Sequence, residues 1–205
     1  LLKGLRATMR ASGRIGGDLS GPSLEADLAG SSLEIGKQAA PVEGRLKLRR
    51  EAFQLESIRI ASTVEVDLSV PFDGKPAAAS FGASGLKLAH LRQAAALPAA
   101  FQDLEGTLHG QARVSDLAGT PAIGGQGELR ELSWRGAALG TLAFALEGEG
   151  KRINLTRAAL QGPICSAEGS GELGFPEGGW EGRGRFDVKN LKSGTSELAA
   201  RADIS

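Results

Sequence analysis

Tyrosine is missing from this 205-residue chain, and cysteine and methionine occur once each. The lone cysteine, Cys165, excludes an internal disulfide framework; with neither histidine near it in sequence, it reads as a small buried apolar residue rather than a reactive thiol. Net charge is absent too: Lys plus Arg and Asp plus Glu stand at 24 each, which removes the long-range attraction that draws a protein to nucleic acid or to an anionic membrane surface. No apolar run approaches the roughly 18 residues needed to cross a bilayer. The opening Leu1-Leu2-Lys3-Gly4-Leu5-Arg6 is not a signal peptide. Without an initiator methionine the sequence is expected to be a piece of a longer chain, with any anchor or targeting signal outside it.

Catalytic constellations are missing as well. His90 and His109 are the only histidines, and no carboxylate spacing around either matches a metal set such as H-E-x-x-H. The segment Gly148-Glu149-Gly150-Lys151 lacks the spacing of a phosphate loop and reads as a hairpin turn. The expectation is therefore a protein that is not an enzyme and has no cofactor or metal.

What the chain does have is glycine, 30 residues or about twice the average share. It separates short pieces in which apolar side chains recur at every second position, such as Thr107-Leu108-His109-Gly110, Ala112-Arg113-Val114, Gly127-Glu128-Leu129 and Thr141 to Leu146. That alternation predicts strands, with Gly and Pro in the connections, and hence an antiparallel meander. Gly13 to Leu28 reads as two strands around a Gly21-Pro22 turn. The clearest strand lies between Ile58 and Val70, with Ile58, Ile60, Val64, Val66, Leu68 and Val70 on one parity and Arg59, Glu65, Asp67 and Ser69 on the other. Phe53 and Leu55 have the opposite parity, which predicts a bulge near Glu56-Ser57; a like change falls between Leu155 and Leu160. Leu88 to Ala96 has helical spacing and is ended by Pro98.

Similar words return about 100 residues apart: Ala52-Phe53-Gln54-Leu55 with Arg152-Ile153-Asn154-Leu155, and Phe72-Asp73-Gly74 with Phe175-Pro176-Glu177. Two β repeats are expected, residues 1–103 with a linker helix near 88–96, and residues 104–205 continuous with the first. Each has one apolar face and no long amphipathic helix to cover it. From periodicity alone the faces either pack shut as a β-sandwich core or stay open as a groove.

The order Leu97-Pro98, Leu104-Glu105-Gly106-Thr107-Leu108, Asp116-Leu117-Ala118-Gly119-Thr120-Pro121 and Gly127-Glu128-Leu129, followed by Ile153-Asn154-Leu155 and Gly169-Ser170-Gly171-Glu172-Leu173, resembles the repeating unit of the TamB and AsmA-like proteins of Gram-negative envelopes. The resemblance runs from about Leu97 to Leu173 and, in the first repeat, from about Gly13 to Val70. It implies an all-β fold: an elongated, twisted antiparallel sheet curled into a U-shaped, taco-like apolar groove, with one or two short helices. It implies a place in the periplasm, tethered to the inner membrane by a helix outside this segment, and a role in carrying phospholipid acyl chains between inner and outer membrane. A scaffold for outer-membrane protein assembly beside a barrel partner, working by β-strand addition, and an inert β-solenoid spacer are the other readings.

Strand parity selects the groove side chains. Ile58, Ile60, Val64, Val66, Leu68, Val70, Leu142, Phe144, Leu146, Ile153, Leu155, Phe186 and Val188 are expected to line one shared concave face, with Arg59, Glu65, Asp67, Ala143 and Asn154 pointing away. At about 0.8 kcal/mol per buried CH₂, a lipid chain in such a trough gains on the order of 10 kcal/mol.

Overall fold

The computed structural model describes residues 5–18, 21–35, 38–94, 102–174, 181–193 and 196–204. In chain order they form β1 (Leu5–Thr8), β2 (Ala11–Asp18), β3 (Gly21–Ile35), β4 (Gln38–Leu48), β5 (Ala52–Ile60), β6 (Val64–Pro71), β7 (Ala78–Lys87) and helix α1 (Leu88–Ala94). Then follow β8 (Leu104–Ser115), β9 (Ala122–Trp134), β10 (Ala137–Glu149), β11 (Arg152–Gln161), β12 (Ser166–Gly174), β13 (Glu181–Ser193) and β14 (Ser196–Ile204).

All the strands belong to one antiparallel sheet, in which each pairs with its neighbour in sequence from β3 to β14. The sheet is elongated and curled, and it does not close on itself. β1 and β2 share one side of β3, pairing with its two ends. Between them the buried Ser31 fills the missing rung: its hydroxyl accepts the Arg10 N–H at 2.8 Å and donates to the Arg10 carbonyl at 3.1 Å. A buried backbone group left without a partner is costly, so a serine suits this gap.

Bulges keep the apolar side chains on one face. In β5, Leu55 pairs with Leu68 and Ile58 with Val66, leaving Glu56 and Ser57 opposite a single partner, Asp67. Ser57 takes a left-handed φ of 50°, and its N–H is capped by Asp67 Oδ1 at 2.7 Å. In β11, Leu155 pairs with Gly171 and Ala158 with Gly169. Both parity changes fall where the alternation breaks in the sequence.

Several expectations need correction. Ile58 to Val70 is not one strand: a turn at Ala61–Thr63, with φ of 51° and 58° at Ala61 and Ser62, divides it between β5 and β6. Parity survives because Ile60 faces Val64 across the turn. Gly21 and Pro22 are not a turn but open β3 opposite Asp18 and Gly17. The pieces around Gly110 and Gly127 fuse into the long β8 and β9. There glycine serves packing: a Cβ at Gly127 would lie 2.6 Å from the His109 carbonyl oxygen and 3.0 Å from Phe144 Cζ. Helix α1 occupies Leu88–Ala94, between the paired strands β7 and β8; the remainder of the expected 88–96 and Pro98 lie outside the described residues.

Burial is thin. The tightest cluster is Leu28, Val42 and Ile58 on adjacent strands, with Leu33, Leu55, Ile60 and Val66 packed against it. Among the described residues no large side chain is fully buried. A sandwich core of this size would bury several, so the closed reading of the apolar face does not hold for them.

Candidate functional site

Directly opposed residues of antiparallel strands project to the same face, so register sorts the side chains. One row crosses the sheet as Ile58, Val66, Phe81, Ala112, Gly125, Leu146 and Leu155. The next runs Ile60, Val64, Ala83, Gly110, Gly127, Phe144, Ala158, Gly169 and Phe186. On one side of these lie Leu68, Ala79, Val114, Ile123, Gly148 and Ile153. On the other lie Leu86, Leu108, Leu129, Leu142, Leu160, Ala167 and Val188. Val70 stands two residues beyond Leu68 on the unbulged β6, opposite Phe53. Every residue selected by parity thus falls on one face.

The belt is large. With strands about 4.8 Å apart and same-face residues about 6.8 Å apart along each, it runs about 38 Å across the nine strands from β5 to β13 and about 20 Å along them. Phe81, Leu86, Leu108, Val114, Ile123, Leu129 and Leu160 belong to it although parity did not single them out. The signal was present in Leu108-x-Gly110-x-Ala112-x-Val114, diluted by the small residues between.

The reverse face is polar. Asp67, Ser80, Arg113, Gly124, Glu147, Asn154 and Glu172 form one of its rows, and Glu65 opposes Arg59. Ala143 sits between Glu128 and Ala159. Cross-strand ion pairs lace this side: Arg45 Nε to Asp27 at 3.0 Å, Lys47 Nζ to Glu56 at 2.6 Å. The hydrogen bond to Asp27 holds the Arg45 guanidinium above its ordinary pKa. Such exposed pairs fix register more than they stabilise.

Hollows open on both faces of the sheet. A twisted sheet is saddle-shaped, concave along one diagonal on each side. The apolar face carries a hollow of 340 Å³ between Val64, Phe81, Leu86, Leu108, Phe144 and Leu146, floored by Gly110 and Gly125. The polar face carries a larger one of 640 Å³, lined by Glu65, Asp67, Gln111, Arg113, Gln126 and Glu147. Hollows thus lie on both faces of the sheet, the larger toward the polar side.

Elsewhere, His90 is exposed on α1, and His109 Nδ1 accepts a hydrogen bond from the Gly85 N–H at 3.3 Å. Cys165 is half-buried in the β11–β12 connection, not in a core. No group of three or more His, Cys, Asp or Glu residues that could hold a metal ion occurs among the described residues. No helix among them is long and apolar enough to cross a membrane. No protein-family model matches the chain, and no curated protein or solved structure is significantly similar to it.

Proposed function

We propose that the apolar belt is a seat and path for the acyl chains of phospholipids, in a periplasmic, inner-membrane-anchored protein that passes lipid toward the outer membrane. The observation that carries this reading is the belt itself: rows of aliphatic and aromatic side chains held in register on one face that no other described element covers. Its charges are sorted to the other side. Half of the roughly 30 Å hydrocarbon core, about 15 Å, is the reach of one lipid's chains, so a belt about 20 Å wide accepts them across its width and several along its length. No headgroup site is needed, because transfer of alkyl chains from water supplies the affinity.

Native mass spectrometry of the purified chain tests this. Phospholipid should remain bound, and Val66→Asp and Phe144→Arg should lose it. An approaching acyl chain would have to strip water from the new charge at a cost of several kcal/mol. Phe144→Arg, outside the Leu28–Val42–Ile58 cluster, should keep its fold because its site is partly solvated. Retention of lipid by both would contradict the proposal.

A second reading rests on a separate observation, the two open edges at β1–β2 and β14. An unfolded outer-membrane strand could add there through backbone hydrogen bonds, beside a barrel partner. Strand addition would protect edge amides from exchange and leave binding indifferent to Val66→Asp.

A further inference from the structure

Where β7 meets α1 the sheet register breaks: Ala83 pairs with Gly110 and Leu86 with Leu108, so Ser84 and Gly85 bulge opposite His109 alone. Gly85 takes a left-handed φ of 71°, and His109 Cε1 lies 3.9 Å from the place where a Cβ on Gly85 would be. The Gly85 N–H is directed at His109 Nδ1, 3.3 Å away. A backbone amide can donate only to an unprotonated ring nitrogen, so the contact specifies the neutral imidazole with its proton on Nε2.

We propose that this hydrogen bond is a pH-sensitive latch that fixes the β7 bulge and, three residues later, the start of α1. Protonation places an N–H on Nδ1 facing the Gly85 N–H, two donors with no acceptor between them. The latch is therefore closed with the neutral ring and opens when the ring is protonated. Glu128 on β9 is the cross-strand partner of His109 and offers the imidazolium a carboxylate, although it already accepts from Arg130 Nε at 2.6 Å. Arg157 of β11 lines the same surface hollow as His109 and Glu128. Lys87 on β7 and Glu105 on β8 lie on this side of the sheet, and α1 carries His90 and Arg92, the latter donating to the Gln102 carbonyl. Because α1 contacts only β7 and β8 substantially among the described elements, loosening the bulge loosens the helix.

The test is ¹⁵N NMR of the chain from pH 8 to pH 5, reading amide exchange at Gly85 corrected for intrinsic chemistry and the ring protons of both histidines. Protection at Gly85 should fall by roughly twofold to tenfold, the weight of one net hydrogen bond. Its midpoint should coincide with that read from the His109 ring protons. His109→Gln keeps an acceptor that does not titrate and should abolish the dependence, while His90→Gln should leave it intact. A pH-independent Gly85 amide in the unsubstituted chain, or a dependence that survives in His109→Gln, would overturn the proposal. Should His109→Gln not fold, the coincidence of midpoints decides.

Discussion

At the scale of single residues, the glycines divide into two kinds that composition does not separate. Gly124 faces open space, with nothing within 4 Å of the place where a Cβ would stand, whereas a Cβ on Gly127 or Gly169 would collide with a neighbouring carbonyl and with Phe144 or Phe186. Each phenylalanine lies over a cross-strand glycine, covering backbone that would otherwise meet water on the apolar side. Gly124→Ala should therefore change stability by less than about 0.5 kcal/mol. Gly127→Ala should cost about 1 to 3 kcal/mol, as overpacking does. Urea denaturation of the two variants checks the contrast; equal effects would mean that the glycine-phenylalanine packing does not matter.

At the scale of the element, the bulges decide which face a strand presents. Asp67 caps the β5 bulge through Ser57 and also accepts from Ser80 Oγ at 3.3 Å. Asp67→Ala should lower stability by about 1 kcal/mol, and Asp67→Asn, which retains an acceptor, by less. Thermal melts of both variants measure this, and an equal loss would point to charge rather than capping. The element scale also explains what could be read from the sequence. β6 was legible because Val64, Val66, Leu68 and Val70 alternate without a break, and the parity changes near Ser57 and after Leu155 marked their bulges in advance. β8 and β9 were legible only in fragments. Gly110, Gly125 and Gly127 look like punctuation along the chain, and their packing role depends on partners in other strands. The two-residue spacing fixes a face only relative to its own strand, so the rows that join Phe81 to Leu146 or Leu108 to Leu160 needed the register. The larger hollow on the polar side was not legible at all, since saddle curvature is a property of the twisted sheet as a whole.

For the whole molecule, one sheet with no covering layer among the described residues leaves a long face of half-buried apolar side chains. Extended apolar faces of this kind mark binding sites. The central claim is that acyl chains occupy this face and not its reverse. Photocrosslinking tests it most directly, with benzoylphenylalanine placed one position at a time from Val64 to Leu68 and the chain exposed to vesicles of phosphatidylethanolamine and phosphatidylglycerol. Lipid adducts should form at Val64, Val66 and Leu68 and fail at Glu65 and Asp67, following the alternation of the strand. Adducts that ignore this alternation, or none at any position, would contradict the account.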